Sequence, residues 1–123
     1  AEQADAAVIN VTSGLAFVPM AAAPTYCATK AAMHSYTLSL RQSLKGRIEV
    51  IEIAPPAVQT QLTPGQETRS GYQPLAEFAD EVMALLSQQP TPAEILVKQV
   101  QPLRHAEAEG HFEEKLALLN MPH

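Results

Sequence analysis

The sequence predicts an α/β fold built on a parallel sheet, and three observations carry that prediction. Ala6-Ala7-Val8-Ile9-Asn10-Val11 is a short, mostly apolar run rich in β-branched residues. A long alanine-rich stretch with neither proline nor glycine follows from Thr25 to Lys45. A second β-branched run, Arg47-Ile48-Glu49-Val50-Ile51-Glu52-Ile53-Ala54, comes directly after it. Strand, helix and strand at these lengths make a βαβ unit, because parallel neighbours need a crossover of that size.

The first run is expected to be a strand covered on both faces, since its apolar residues do not alternate with polar ones. Gly14, Pro19 and Pro24 break the following segment, residues 14–25, into a loop. From Pro24 to Lys45 the pattern is helical, with Met33, Tyr36, Leu40 and Leu44 spaced as one apolar stripe. Gly46 suits a left-handed cap, and Lys45 sits at the negative end of the helix dipole. Pro55-Pro56 ends the second strand. Residues 57–74 hold little that can be buried and several turn formers, and they read as a mobile loop with one helical turn. Leu75, Phe78, Ala79, Val82, Met83 and Leu86 mark a second helix that ends near Gln89-Pro90. Thr91-Pro92-Ala93-Glu94 has the form of a capping box with proline at the first helical position, which predicts a third helix from Pro92 to Pro102. Phe112, Leu116 and Leu119 define a fourth, weaker helix. The expectation is two strands and about four helices in one unit, residues 1–123, with no repeat or linker.

Composition narrows the function. The 123 residues, 46% of them apolar, allow one domain with a modest core. Thirteen acidic against eight scattered basic residues give a net charge of -5, which argues against a nucleic-acid partner. The single cysteine, Cys27, leaves no internal disulfide, and no secretory signal is recognisable, so a cytoplasmic location is expected. Asn10, Thr12 and Pro24 interrupt the longest apolar stretches, and no membrane span is expected. His34, His105, His111 and His123 have no i,i+4 pairing and no nearby cysteine, so no metal site is expected and surface or helix-end roles suffice. Glu107, Glu109, Glu113 and Glu114 read as a solvated helix face. Cys27 reads as a small, poorly exposed helix residue without catalytic use.

Tyr26 and Lys30 carry the chemistry. Four residues apart on a helix, they share one face, and an ammonium one turn away favours the phenolate form of a tyrosine. Such a tyrosine can exchange a proton with a carbonyl or alcohol, and Ser13, at the end of the preceding strand, can hydrogen-bond the same oxygen. Taken alone, the spacing also fits a packed tyrosine beside a solvated lysine. The order of features decides between them. A strand ending at Ser13, a loop ending at Pro24, Tyr26-Cys27-Ala28-Thr29-Lys30, a helix, a strand and then Pro55-Pro56-Ala57-Val58-Gln59-Thr60 resemble the short-chain dehydrogenase/reductase family over residues 6–62. In that family the last segment usually reads Pro-Gly-x-Val/Ile-x-Thr and holds the nicotinamide carboxamide and pyrophosphate. Val58 and Thr60 match it, whereas Pro56 replaces the glycine, removing an N–H and fixing φ. A Pro-Pro version occurs in the DltE-like subgroup, whose likeness continues through Glu94-Ile95-Leu96-Val97, residues 104–110 and Leu119-Asn120.

The resemblance implies the C-terminal half of a Rossmann-type doubly wound parallel sheet. It assigns catalysis to Ser13, Tyr26 and Lys30, and contacts to NAD or NADP to Tyr26, Lys30, Pro55, Pro56, Val58 and Thr60. The family's glycine-rich phosphate turn, the residue that separates NAD from NADP and the catalytic asparagine do not occur in this sequence. The cofactor-binding N-terminal half is therefore expected to be absent, and the isolated chain is expected to be inactive and to bind dinucleotide negligibly. Two readings follow. One is the catalytic segment of an NAD(P)-dependent oxidoreductase acting on a small carbonyl or secondary alcohol, with the 57–74 loop either closing over substrate through Leu62 or Tyr72 or forming an ordinary surface loop. The alternative is a non-catalytic oligomerisation module. Either expects association, with a copy of itself through Met33, Tyr36, Leu40 and Leu44 or with the missing half.

Overall fold

The computed structural model describes residues 6–122; Ala1–Asp5 and His123 lie outside the described residues. In chain order they form β1 (Ala7–Val11), α1 (Pro24–Ser43), β2 (Glu49–Ile53), α2 (Leu75–Leu86), β3 (Glu94–Ile95), α3 (Gln101–Arg104) and α4 (Phe112–Leu119). Short 3-10 turns at Gly14–Ala16, Gln66–Thr68 and Lys98–Val100 join them. The sheet runs β1-β2-β3 with every pair parallel, and its register sets Asn10 beside Glu52 and Glu52 beside Glu94. The α/β class, the parallel pairing and the first two strands match the sequence expectation.

The third helix does not form. Glu94–Ile95 is instead a strand on β2, and its neighbour Ala93 accepts a hydrogen bond from Glu52 N at 2.9 Å while Ile95 O accepts one from Ala54 N at 3.4 Å. The capping signal at Thr91-Pro92-Ala93-Glu94 is local, whereas the open edge of β2 supplies both ladder partners and a core for the side chains beyond it. Ile95, Val97 and Val100 are no more than 1% exposed, each burial contributing roughly 1.5–3 kcal/mol. Pro102 starts the short α3 rather than ending a longer helix.

Side chains alternate across β2, so Ile51 and Ile53 face one layer and Glu52 the other. The first layer is the apolar core, in which Ile51, Val82, Ile95, Val97 and Val100 cluster with Ile53, Phe78, Leu85 and Leu86 packed against them. The second layer is α1. Its inward residues are Cys27 and Thr37, fully buried, and Lys30, His34 and Arg41, partly so, whereas Met33 and Tyr36 of the expected stripe are 38% and 64% exposed. The sheet explains this: Asn10 and Glu52 on the facing strands need polar partners, and the α1 face that supplies them turns inward. One expectation is overturned: β1 is not covered on both faces, because Ile9 and Val11 are each 47% exposed at the edge of the sheet. Gly46 takes the expected left-handed conformation, φ 83°, just after α1.

Candidate active site

β1 delivers Thr12, Ser13 and Gly14 to the end of the sheet where β2 leaves it. Thr12 N donates to Ile53 O at 2.8 Å and Gly14 N to Pro55 O at 2.9 Å, so the ladder continues past both strands. Ser13 is extended, and its Oγ accepts from Leu15 N at 3.1 Å, capping the 3-10 turn. Gly14 is required by close approach: a Cβ there would stand 2.8 Å from Val100 Cγ2 and 3.0 Å from Leu103 Cδ1.

α1 starts at Pro24, which has no N–H to satisfy and suits the first helical turn. Tyr26 and Lys30 follow, and Lys30 Nζ lies 5.6 Å from the Tyr26 ring centroid while donating to Val11 O at 3.3 Å. The lysine thus joins the tyrosine ring to the strand end that carries Ser13. Tyr26 is 41% exposed and Ser13 only 9%, so the phenol is open to a ligand and the serine is nearly enclosed. The loop before α1 is pinned from the far end of the chain. Asn120 Oδ1 accepts from Ala21 N at 2.7 Å, and its Nδ2 donates to Pro19 O at 3.2 Å. Beneath that loop Cys27 is buried, with Met20 N donating to Sγ at 3.3 Å, as expected for a structural thiol.

The segment after β2 runs beside this corner. Pro55, Pro56 and Thr60 are half-buried and Val58 is buried. Gln66 Nε2 donates to Val58 O at 2.7 Å and to Thr60 Oγ1 at 3.1 Å, folding the segment back on itself. No non-glycine residue among those described has a positive φ, so position 56 does not demand glycine. Gln73, which sequence reasoning passed over, is 1% exposed and holds the segment from below: its N–H donates to Ala57 O at 2.9 Å and its carbonyl accepts from Gln59 N at 2.8 Å. Of the two candidate pocket residues, Leu62 is 74% exposed and Tyr72 stacks under Arg69 at 5.6 Å.

Polar residues also cross the sheet beneath α1. Asn10 Nδ2 donates to Thr37 Oγ1 at 3.1 Å. Glu52, 0% exposed, accepts from Thr12 Oγ1 at 2.7 Å and meets His34 Nδ1 at 2.8 and 2.9 Å. Glu94 is gripped by Arg104 through Nε at 2.6 Å and Nη2 at 2.9 Å. The Arg104 hydrogen bond holds the Glu94 carboxyl below its ordinary range against the opposing effect of burial, and Glu94 in turn raises Arg104. Arg104 stacks 4.6 Å from the Phe17 ring, whose edge meets His34 at 4.7 Å between centroids. His34 is therefore not a surface residue, which corrects the sequence expectation. The signal was Glu52 itself, a carboxyl set between Ile51 and Ile53 in the middle of a β-branched run.

Comparison with known proteins follows the same corner. The family model for short chain dehydrogenase matches residues 1–71, more than half of the chain, and the chain belongs to that family. It is 52% identical over 71 residues to the uncharacterized oxidoreductase DltE of Bacillus subtilis (strain 168), an alignment covering 57% of this chain and 28% of that protein. Its fold is similar, with a TM-score of 0.72 and 24% identity, to that of a short chain dehydrogenase from Burkholderia cenocepacia J2315 solved in complex with NADP. That match covers 96% of this chain and 48% of the other, so this chain spans about half, or less, of the length of these two relatives. Among the described residues no helix is long and apolar enough to cross a membrane, and no group of three or more His, Cys, Asp or Glu is placed to hold a metal ion.

Proposed function

We propose that this chain is the C-terminal catalytic segment of a cytoplasmic NAD(P)-dependent oxidoreductase that interconverts a small carbonyl compound and its alcohol. The observation that carries the reading is Lys30, whose ammonium is held at Val11 O, 3.3 Å away, beside the Tyr26 ring and one residue from the start of Thr12-Ser13. In this reading Tyr26 Oη gives a proton to the carbonyl oxygen, or takes one from the alcohol. Ser13 Oγ, whose lone pair accepts from Leu15 N, turns its O–H to that oxygen and orients it. Lys30 keeps a positive charge beside the phenol through the transfer.

An ammonium, a phenol and the folded segment from Pro55 to Thr60, all at one end of the sheet, fit the ribose and nicotinamide end of a dinucleotide. Tyr26, Lys30, Pro55, Pro56, Val58 and Thr60 would hold it, and when bound it supplies or accepts the hydride. Among the described residues none of the turns forms a glycine-rich phosphate cradle of the kind that receives a pyrophosphate, which supports the reading that residues 1–123 do not bind the dinucleotide by themselves. Calorimetry of residues 1–123 with NADPH or NADH is expected to show no binding tighter than about millimolar, about -4 kcal/mol; tighter binding contradicts this.

The exposed Met33 and Tyr36 on α1 support self-association under the same reading. They are also what favours the alternative, a non-catalytic module that keeps the fold for assembly. Tyr26→Phe in an intact reductase chain separates the two, since only the catalytic reading requires turnover to fall while assembly persists.

A further inference from the structure

Glu52 is the one carboxyl in the buried set among the described residues, and the proposed proton transfer makes no use of it. A carboxyl with 0% exposure is costly by several kcal/mol unless its oxygens are matched by donors. Here they are matched, and by donors in informative places. Thr12 Oγ1 donates to Oε2 at 2.7 Å, and Thr12 immediately precedes Ser13. His34 Nδ1 spans both oxygens at 2.8 and 2.9 Å, and His34 lies one turn beyond Lys30 and two beyond Tyr26 on the same face of α1.

We propose that Glu52 is a positioning residue that fixes the strand end carrying Ser13 against the helix carrying Tyr26 and Lys30. The proposal rests on the catalytic reading above. Two other contacts join β1 to α1, Lys30 Nζ to Val11 O at 3.3 Å and Asn10 to Thr37 at 3.1 Å. Both run directly between strand and helix, and neither reaches β2. Glu52 stands on β2, the middle strand, in register with Asn10 and paired through Glu52 N to Ala93 O at 2.9 Å. A carboxyl rooted in a third element and bonded to both others triangulates them, with Oε2 shared by Thr12 Oγ1 and His34 Nδ1 and Oε1 taken by His34 Nδ1. The His34 ring cannot rotate away freely, because the edge of Phe17 meets it and Arg104 backs Phe17 in turn. Reacting groups displaced by about 1 Å lose roughly a hundredfold in rate, which sets the scale for losing such a clamp.

The test uses an intact reductase chain carrying residues 1–123, with dinucleotide oxidation followed on phenanthrenequinone as the carbonyl probe. Thr12→Val keeps the shape and removes the donor, Thr12→Ser keeps the donor, and Glu52→Gln keeps the shape of the acceptor. Thr12→Val and Glu52→Gln are expected to lower kcat about tenfold or more, with the dinucleotide KM within about twofold. Thr12→Ser is expected to stay within about twofold of wild-type kcat. Wild-type kcat in Thr12→Val overturns the proposal, and so does Thr12→Ser as slow as Thr12→Val, or a loss spread equally over kcat and KM. If Glu52→Gln does not fold, the Thr12 pair decides alone.

Failure of the catalytic reading looks different: Tyr26→Phe keeps full turnover, or the wild-type chain reduces nothing. The clamp is then read without turnover, from exchange of the Thr12 and Gly14 amides that donate to Ile53 and Pro55. Exchange about tenfold faster in Thr12→Val than in Thr12→Ser, with Val50 and Ile51 unchanged, is the expected result. Equal rates in the two variants overturn the clamp.

Discussion

Arg104 closes on Glu94 through two hydrogen bonds, Nε to Oε1 at 2.6 Å and Nη2 to Oε2 at 2.9 Å, and so ties α3 to the short edge strand β3. The pair is three-quarters buried, with side chains 27% and 23% exposed, and the guanidinium also covers Phe17. A fork on a carboxylate is the strong form of such a contact. Arg104→Ala is therefore expected to destabilise the fold by about 1–3 kcal/mol, read from urea midpoints at neutral pH.

The same pair sets an acid limit. Glu94 titrates below its unfolded value because Arg104 bonds its charged form, so its contribution is complete above the unfolded carboxylate range and is lost as pH falls through the folded value. Arg104, raised further from an already high value, stays protonated throughout. The stability gap between wild type and Arg104→Ala should be constant near neutrality and shrink below about pH 4. A gap that stays constant down to pH 2, or widens, contradicts the assignment.

Gly14→Ala tests the close approach at the strand end. The new Cβ meets Val100 and Leu103 at 2.8 and 3.0 Å, and Val100 is fully buried with no room to retreat. Overpacking of this kind costs about 1–3 kcal/mol. Thermal unfolding measures it, and an unchanged midpoint would show that the 3-10 turn yields without cost.

Asn120→Ala is expected to open the loop before α1 rather than the fold as a whole. Losing the bonds to Ala21 N and Pro19 O frees the segment that covers Cys27. Labelling of the Cys27 thiol by a disulfide reagent should accelerate about tenfold with little change in the unfolding midpoint. An unaltered labelling rate means the loop is held by its own contacts.

How far the sequence was legible follows from the range of each signal. α1, β1, β2, α2 and α4 were readable because proline, glycine and apolar spacing act within a few residues. β3 was not, since what makes Glu94 and Ile95 a strand is the edge of β2, some forty residues earlier in the chain, and no local pattern encodes that partner. The inward face of α1 was not legible for a related reason. Hydrophobic spacing marks Met33 and Tyr36, which the structure leaves exposed, whereas Asn10 and Glu52 on the sheet meet Thr37 and His34. Tyr26, Lys30 and Ser13 are proposed from their order alone, and the structure sets Lys30 beside the Tyr26 ring and at the strand end that precedes Ser13. Thr12, Glu52 and His34 could not be grouped, because each is ordinary in its own segment and they meet only when β1, β2 and α1 are stacked.

The most direct measurement is the turnover of Tyr26→Phe in an intact reductase chain carrying these residues, with dinucleotide oxidation followed on phenanthrenequinone. The substitution keeps the ring beside Lys30 and removes only the hydroxyl. A fall in kcat of about a hundredfold or more, with assembly and unfolding midpoint unchanged, is the result the catalytic assignment predicts. Turnover equal to wild type would contradict it.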